Sequence, residues 1–414
     1  MKIAVVVTGS FCDLKLVNIV VRSILKNRKA HVTYSIPSKN GTPIKHKRLH
    51  YEHHTVQDSI DFSNPKIVNN ELSPATIKTY TGVFHNMKTE MKMILTSLFI
   101  KNDYVLIHSP SLIYFSSLND NIINMSKTGI LWAHPSYPNT RVPWILSDEM
   151  KSLSLKKRYK SSIDMYRIFS LLGLTTGLLT KLIKKSHMFA LWNEVVFRAP
   201  KTVSRIHQLN GLIDFSKPKT PPRGSILSKF IESNNKLVYF SFGSINLRNF
   251  SQEYVQKVME IIELFIEKGY NMVYHSTVKP DTLDVDPIEN MKSKNFLLLK
   301  GFVQHEWIIP KMSLVITSGS VCMTNIANHH GVPLLYIPGT NEQIFWAYLY
   351  SKNTRQPYID LEGDSRSHTN IVKNMFKHLK SKKSRTRTFL EKLKKFNTNN
   401  VDSAKIIADV VFSD

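Results

Sequence analysis

Two stretches of this chain open in the same way, and that repetition limits the fold more than any other feature. Ile3-Ala4-Val5-Val6-Val7 is an apolar run that stops at Thr8-Gly9-Ser10, and Leu237-Val238-Tyr239-Phe240-Ser241-Phe242 stops at Gly243-Ser244. Runs this short, followed by turn residues, read as buried strands. After the first, Leu14, Leu16, Val17, Val20, Val21, Ile24 and Leu25 recur at helical spacing, and His31 to Ile36 reads as a strand ended by Pro37. Strand, helix and strand in so few residues make a βαβ unit, because parallel strands need a crossover. After the second, Glu253 to Lys268 reads as a helix closed by Gly269, since glycine is the usual residue just past a helix end. Further strands are expected at Asn271–His275, Phe296–Leu299, Leu314–Thr317 and Pro333–Ile337.

Between these halves the pattern is less regular. Residues 38–75 are polar and read as loop, Lys78 to Ile100 as helix, Tyr104–His108 and Thr128–Trp132 as strands, and 148–195 as mainly helical. Three prolines and a glycine fall within Ser216-Lys217-Pro218-Lys219-Thr220-Pro221-Pro222-Arg223-Gly224, a composition suited to an extended linker. The expected organisation is therefore α/β throughout: a doubly wound Rossmann-like domain over 1–215, the linker 216–224, a second such domain over 225–385, and a helical segment, 386–414, packing back on the first. A length of 414 residues accommodates that plan. Twin sheets of this kind would face one another across a cleft at the carboxyl ends of their strands, where α/β sheets bind ligands.

The charge points to the ligand's chemistry. With 56 Lys+Arg against 31 Asp+Glu the formal net charge is +25, which favours anionic partners and says nothing about fold. Two cysteines, Cys12 and Cys322, exclude a disulfide scaffold and a Cys-rich zinc module. The run after Met1 is too short for a signal-peptide core, and Ile168 to Leu179 falls short of a membrane span, so the chain reads as soluble and cytoplasmic. Tyr166 to Lys185, apolar then basic, could lie against an anionic membrane surface. His46, His50, His53 and His54 lack the companion ligands of a metal site, although two of them at i, i+4 could share a helical face. The basic run Lys373 to Lys395 carries no nucleic-acid motif and reads as a solvated helix face, so nucleic acid is not an expected partner.

The second half resembles the donor-binding domain of the UDP-glycosyltransferase family, nucleotide-sugar-dependent enzymes of the two-domain GT-B fold. Phe240-Ser241-Phe242-Gly243-Ser244 is similar to the family's opening strand and loop. From Phe302 to Ala347 the family motif aligns without a gap: Phe302-Val303 on its aromatic-Val, Thr317 and Gly319 on its Thr-His-Gly-Gly, Ala327 on its Ala, then Gly331-Val332-Pro333, Pro338, Glu342-Gln343 and Ala347. The departures are specific too. The phosphate-binding His of the family falls on Ser318, its second Gly on Ser320, its ribose-holding Glu on Ile326, and the Pro-Gln of its base box on Gln304-His305, while the Thr beside the phosphates is kept as Thr324.

In the first half the family places a catalytic His after the first strand and an Asp at the end of a later one. Here the first loop reads Gly9-Ser10-Phe11-Cys12-Asp13, without a His, and the later strand ends in His108. Either Asp13 and His108 form an inverted dyad or the dyad is lost; Asp13 could equally cap the helix that follows it.

The resemblance implies a metal-independent transfer of a hexose from a UDP-sugar, the co-substrate, to a hydroxyl of a small, lipophilic acceptor, with no further cofactor. Gly243, Ser244, Ser318, Gly319, Ser320 and Thr324 would hold the diphosphate, Phe302 the base, Glu342 and Gln343 the sugar, and His108 and Asp13 would assist attack. The alternative is a catalytically inactive protein of the same fold that binds a nucleotide-sugar or an acceptor-like ligand.

Overall fold

The computed structural model describes residues 1–8, 11–27, 29–38, 44–55, 74–118, 122–132, 181–182, 184–193, 205–209, 211–214, 220–221, 224–243, 247, 250–276, 287–301, 303–339, 341–361, 368–380, 388–393 and 402–413. The chain divides into two compact units. Residues 1–62, 69–212 and 401–414 build the first, and 213–400 the body of the second.

The first unit carries β1 (Lys2–Val6), α1 (Phe11–Asn27), β2 (His31–Pro37), β3 (Leu49–His54), α2 (Pro74–Lys101), β4 (Tyr104–His108), β5 (Thr128–Trp132), β6 (His187–Ala190) and β7 (Ile206–Gln208). Among the described residues its seven strands run in the order β3-β2-β1-β4-β5-β6-β7, and every pairing is parallel. Ile3, Ala4, Val5 and Val6 are fully buried, as expected of a parallel strand covered on both faces. The apolar stripe of α1, from Leu14 to Leu25, is likewise buried. Met91, Leu95 and Leu98 of α2 join Phe115, Trp132 and Trp192 in one core cluster.

The second unit carries α3 (Ile226–Ser233), β8 (Leu237–Ser241), α4 (Gln252–Glu267), β9 (Asn271–Ser276), β10 (Phe296–Lys300), the single turn α5 (His305–Ile308), β11 (Leu314–Thr317), α6 (Val321–His330), β12 (Leu334–Tyr336), α7 (Asn341–Thr354) and α8 (His368–Lys380). Its five strands, also all parallel, lie in the order β10-β9-β8-β11-β12. Local signals place the helix ends. The Ser251 hydroxyl accepts from the Tyr254 N–H to start α4. Gly269, at φ +75°, ends it, and Gly331, at φ +67°, ends α6. The last helix, α9 (Ser403–Ser413), belongs to the first unit and packs against α1.

Three expectations change. Residues 49–54, read as loop, form strand β3, so the histidines there alternate along a strand and do not share a helical face. Two of the four histidines bond the backbone: the His54 Nε2–H donates to the Val7 carbonyl at 3.0 Å, and His46 Nδ1, ahead of the strand, accepts from the Arg48 N–H at 3.2 Å. Residues 187–190, inside a stretch read as helical, form β6. Helix α1 begins at Phe11, so Asp13 sits within its first turn and is not its N-cap. Phe376, in the basic run, is buried against Phe265 and Tyr270, so that helix has one apolar face as well as its solvated one. Among the described residues no helix is long and apolar enough to cross a membrane. Most of the linker and most of Tyr166–Lys185 lie outside the described residues.

Candidate functional site

Each sheet has one place where its strand order reverses. In the second unit β8 is flanked by β9 on one side and β11 on the other. The chain leaving β8 crosses to one side and that leaving β11 to the other, which opens a crevice at their carboxyl ends. Ser241 and Thr317 are register partners, so the loops that begin at Phe242 and Ser318 start side by side.

These loops are tied together. The Ser318 hydroxyl, buried, donates to the Phe242 carbonyl at 3.1 Å. Gly243 is at φ +67° and Gly319 at φ +107°, backbone conformations that strain any L-residue with a side chain. A Cβ on Gly243 would lie 4.0 Å from Ser320 Cβ, and one on Gly319 would lie 3.8 Å from the carbonyl oxygen of Gln343. Gln343, in the first turn of α7, reaches back with Oε1 to accept the Gly339 N–H at 3.0 Å. Gly243, Ser318, Gly319, Ser320 and Gln343 therefore come together at the switch point.

Ser320 is the N-cap of α6, and its side chain makes no capping bond to the first turn. The leading N–H groups of such a helix favour an anion. Thr324 is different: it is fully buried, and its hydroxyl faces the phenol of Tyr336, whose own ionisation burial pushes well up. It stands in the core below the loop and not on the loop. Ile326, where the family has its ribose Glu, is buried as well. Glu342 is the second residue of α7, and its side chain is outside the described set; Ser244 and Phe302 lie outside the described residues. Gly331-Val332-Pro333 has a structural meaning here. Gly331 closes α6 in the left-handed conformation, the Val332 N–H donates to the Ala327 carbonyl at 2.8 Å, and Pro333 leads into β12.

Sequence reasoning missed one member of this site. His275, at the end of β9, donates from Nε2 to the Gly301 carbonyl at 2.6 Å, and its Nδ1 lies 3.3 Å from the Ser241 hydroxyl. Burial holds its imidazole below the usual range, against the opposing effect of the Gly301 bond, so the ring is neutral at pH 7. A lone His inside an apolar strand carries no spacing signal that would single it out.

The first unit has its own switch point between β1 and β4, and His108 ends β4 there. Its ring is fully buried. Its Nδ1–H donates to the Thr8 carbonyl at 3.1 Å, which leaves Nε2 as the lone-pair nitrogen in the neutral form. Thr8 is fixed in turn by Ser111: its N–H donates to Ser111 Oγ at 3.0 Å, and the two hydroxyls are 2.8 Å apart. Asp13 enters the same end of the sheet on the first turn of α1; its side chain is not among those described. Among the described residues no group of three metal-ligating side chains gathers.

Fold and loops together define a protein of two doubly wound, parallel α/β units, with a glycine-bearing, helix-capped loop at the switch point of the second. No family model matches the chain. Among curated proteins it is similar to the ecdysteroid UDP-glucosyltransferase of Lacanobia oleracea granulosis virus, 28% identical over 174 residues, 41% of this chain. That match spans only 35% of the relative's length. Among solved structures it is similar to the kitacinnamycin glycotransferase (TM-score 0.66, 13% identity, covering 100% of this chain and 98% of that one). It is also similar to a Polygonum tinctorium UDP-glucosyltransferase (0.66, 12%, 100% and 99%) and to the calicheamicin glycosyltransferase CalG4 (0.64, 13%, 100% and 97%). The structural likenesses show the fold, the two Rossmann-like domains of GT-B glycosyltransferases.

Proposed function

We propose that this protein is a metal-independent glycosyltransferase that moves a hexose from a UDP-sugar to a hydroxyl of a small, lipophilic acceptor. The observation that carries the reading is the convergence of Gly243, Ser318, Gly319, Ser320 and Gln343 at the switch point of the second sheet, where an α/β protein binds its ligand. Backbone N–H groups at the start of α6 and the Ser320 hydroxyl would receive the diphosphate and stabilise the charge that develops as UDP departs, while Ser318, its hydroxyl committed to the Phe242 carbonyl, would hold the loop in shape. Phe302 would support the base, with Glu342 and Gln343 on the sugar. His108, oriented by the Thr8 carbonyl, would take the acceptor's proton at Nε2, with the Asp13 carboxylate offsetting the charge gained. The name of the viral relative, an ecdysteroid glucosyltransferase, supports a steroid-like acceptor. The likeness to glycosyltransferases favours transfer over mere binding.

Donor binding is the first test. UDP at 100 times its dissociation constant should stabilise the protein by about 2.7 kcal/mol, a shift visible in a melting curve, and Phe302→Ala should reduce it. No shift with any nucleoside diphosphate would overturn the donor assignment. The second test concerns the ribose. With Ile326 buried where a Glu would clamp the hydroxyls, no carboxylate is left unpaired by a deoxyribose. UDP and dUDP should therefore bind with comparable affinity in a calorimeter, and strong rejection of dUDP would mean that another residue holds the ribose.

A further inference from the structure

One buried imidazole joins the two loops that would hold opposite ends of a nucleotide. The Gly301 carbonyl can only accept, so His275 Nε2 carries the proton and Nδ1 is the acceptor in the neutral ring. The Ser241 hydroxyl must then donate to Nδ1, and its oxygen accepts the Gly243 N–H at 3.1 Å. The relay has one sense: Gly243 N–H to Ser241, Ser241 O–H to His275, His275 N–H to Gly301. Ser241 and His275 are both buried, and polar groups placed there without partners would be costly.

What the relay connects is the informative part. Its two ends are glycines at φ +67° and φ +84°. Gly243 immediately precedes Ser244, proposed for the diphosphate, and Gly301 immediately precedes Phe302, proposed for the base. Tyr239 stacks on the ring of His275 with centroids 6.1 Å apart, and His305 meets it edge-on at 5.9 Å, so the imidazole is held in orientation. We propose that His275 is a positioning residue for the donor, its two ring nitrogens setting the spacing between the loop under the base and the loop at the diphosphate. This rests on the reading of the second unit as the donor site.

Two amide substitutions separate the ring nitrogens. His275→Gln keeps a donor near the Nε2 position for Gly301 and gives up the bond to Ser241. His275→Asn keeps an acceptor near Nδ1 for Ser241 and gives up Gly301. Uridine and UDP are titrated calorimetrically into the wild type and both variants, after melting curves establish that each variant is folded. His275→Gln should bind uridine as the wild type does and lose roughly tenfold for UDP, the loss expected from one broken buried hydrogen bond. His275→Asn should lose affinity for both ligands. In sugar transfer, each variant should raise KM for the UDP-sugar by more than it lowers kcat. Ser241→Ala, which leaves the imidazole and its bond to Gly301 in place, supplies the reading when neither His275 variant folds, and it should show the UDP-only loss. A wild type that binds UDP beside folded variants that bind both ligands equally well would reduce His275 to a sheet-end contact. A wild type that binds no UDP would overturn the donor reading and the proposal with it.

Discussion

Replacing His108 by alanine is expected to lower sugar transfer by roughly 100- to 10,000-fold, the usual worth of general-base assistance, while leaving UDP binding intact. The separation follows from the fold: His108 ends a strand of the first unit, and the loops proposed for the donor belong to the second. Alanine would also leave the Thr8 carbonyl without the bond it receives from Nδ1, at a cost of about 1–3 kcal/mol of stability for a buried acceptor. His108→Asn divides the two effects. Its amide can still donate to Thr8 yet offers no base, so stability should recover and transfer should not. Asp13→Asn should lower the rate by a smaller factor. The measurements are rates of transfer and of donor hydrolysis with hydroxylated aromatic and sterol-like acceptors. A fully active His108→Ala protein would remove His108 from the mechanism.

The largest effect on stability is expected at Gly339. A methyl group there would lie 2.3 Å and 2.6 Å from ring carbons of Phe250, far inside van der Waals contact. Phe250 cannot easily yield, because it is buried and stacked on Tyr254 at 4.3 Å between centroids. Overpacking of this kind costs about 1–3 kcal/mol and occasionally more, which for a unit of this size lowers Tm by about 2–4 °C per kcal/mol. Gly339→Ala should also weaken UDP binding, since the backbone shift that relieves the clash would displace the Gly339 N–H from the Gln343 Oε1 to which it donates. Calorimetric melting of wild type and variant, with and without UDP, reads both. An unchanged Tm would show that the ring has room the structure does not give it.

Much of the candidate site in the second unit was legible from local pattern. The strand running into Gly243, the turn Ser318-Gly319-Ser320 before α6 and the Gln343 turn each rest on residues close in sequence, and the resemblance motif spans them without a gap. Other assignments were not legible in the same way. Thr324 satisfies the motif but points its hydroxyl into the core, because a helix presents a different face at each residue and the motif records only spacing. For Asp13 the sequence permitted an N-cap, and the helix instead starts at Phe11. The boundary of a helix depends on where its first turn packs.

The sequence by itself determined the parallel α/β character of both halves, through apolar runs that are buried on both faces and so show no alternation to obscure them. It determined the central strands and the principal helices for the same reason, the hydrophobic period being strongest where burial is most complete. The tertiary structure alone decided the strand order, and hence the two switch points. It also decided β6, buried yet only four residues long inside a stretch that reads as helical, and the outer strands β3 and β7, whose residues are largely half-exposed or exposed and so carry little apolar signal. The relay through Ser241, His275 and Gly301 belongs to the same class. Its members are 34 and 26 residues apart and meet only because β8, β9 and β10 lie side by side in register, a condition no local pattern encodes.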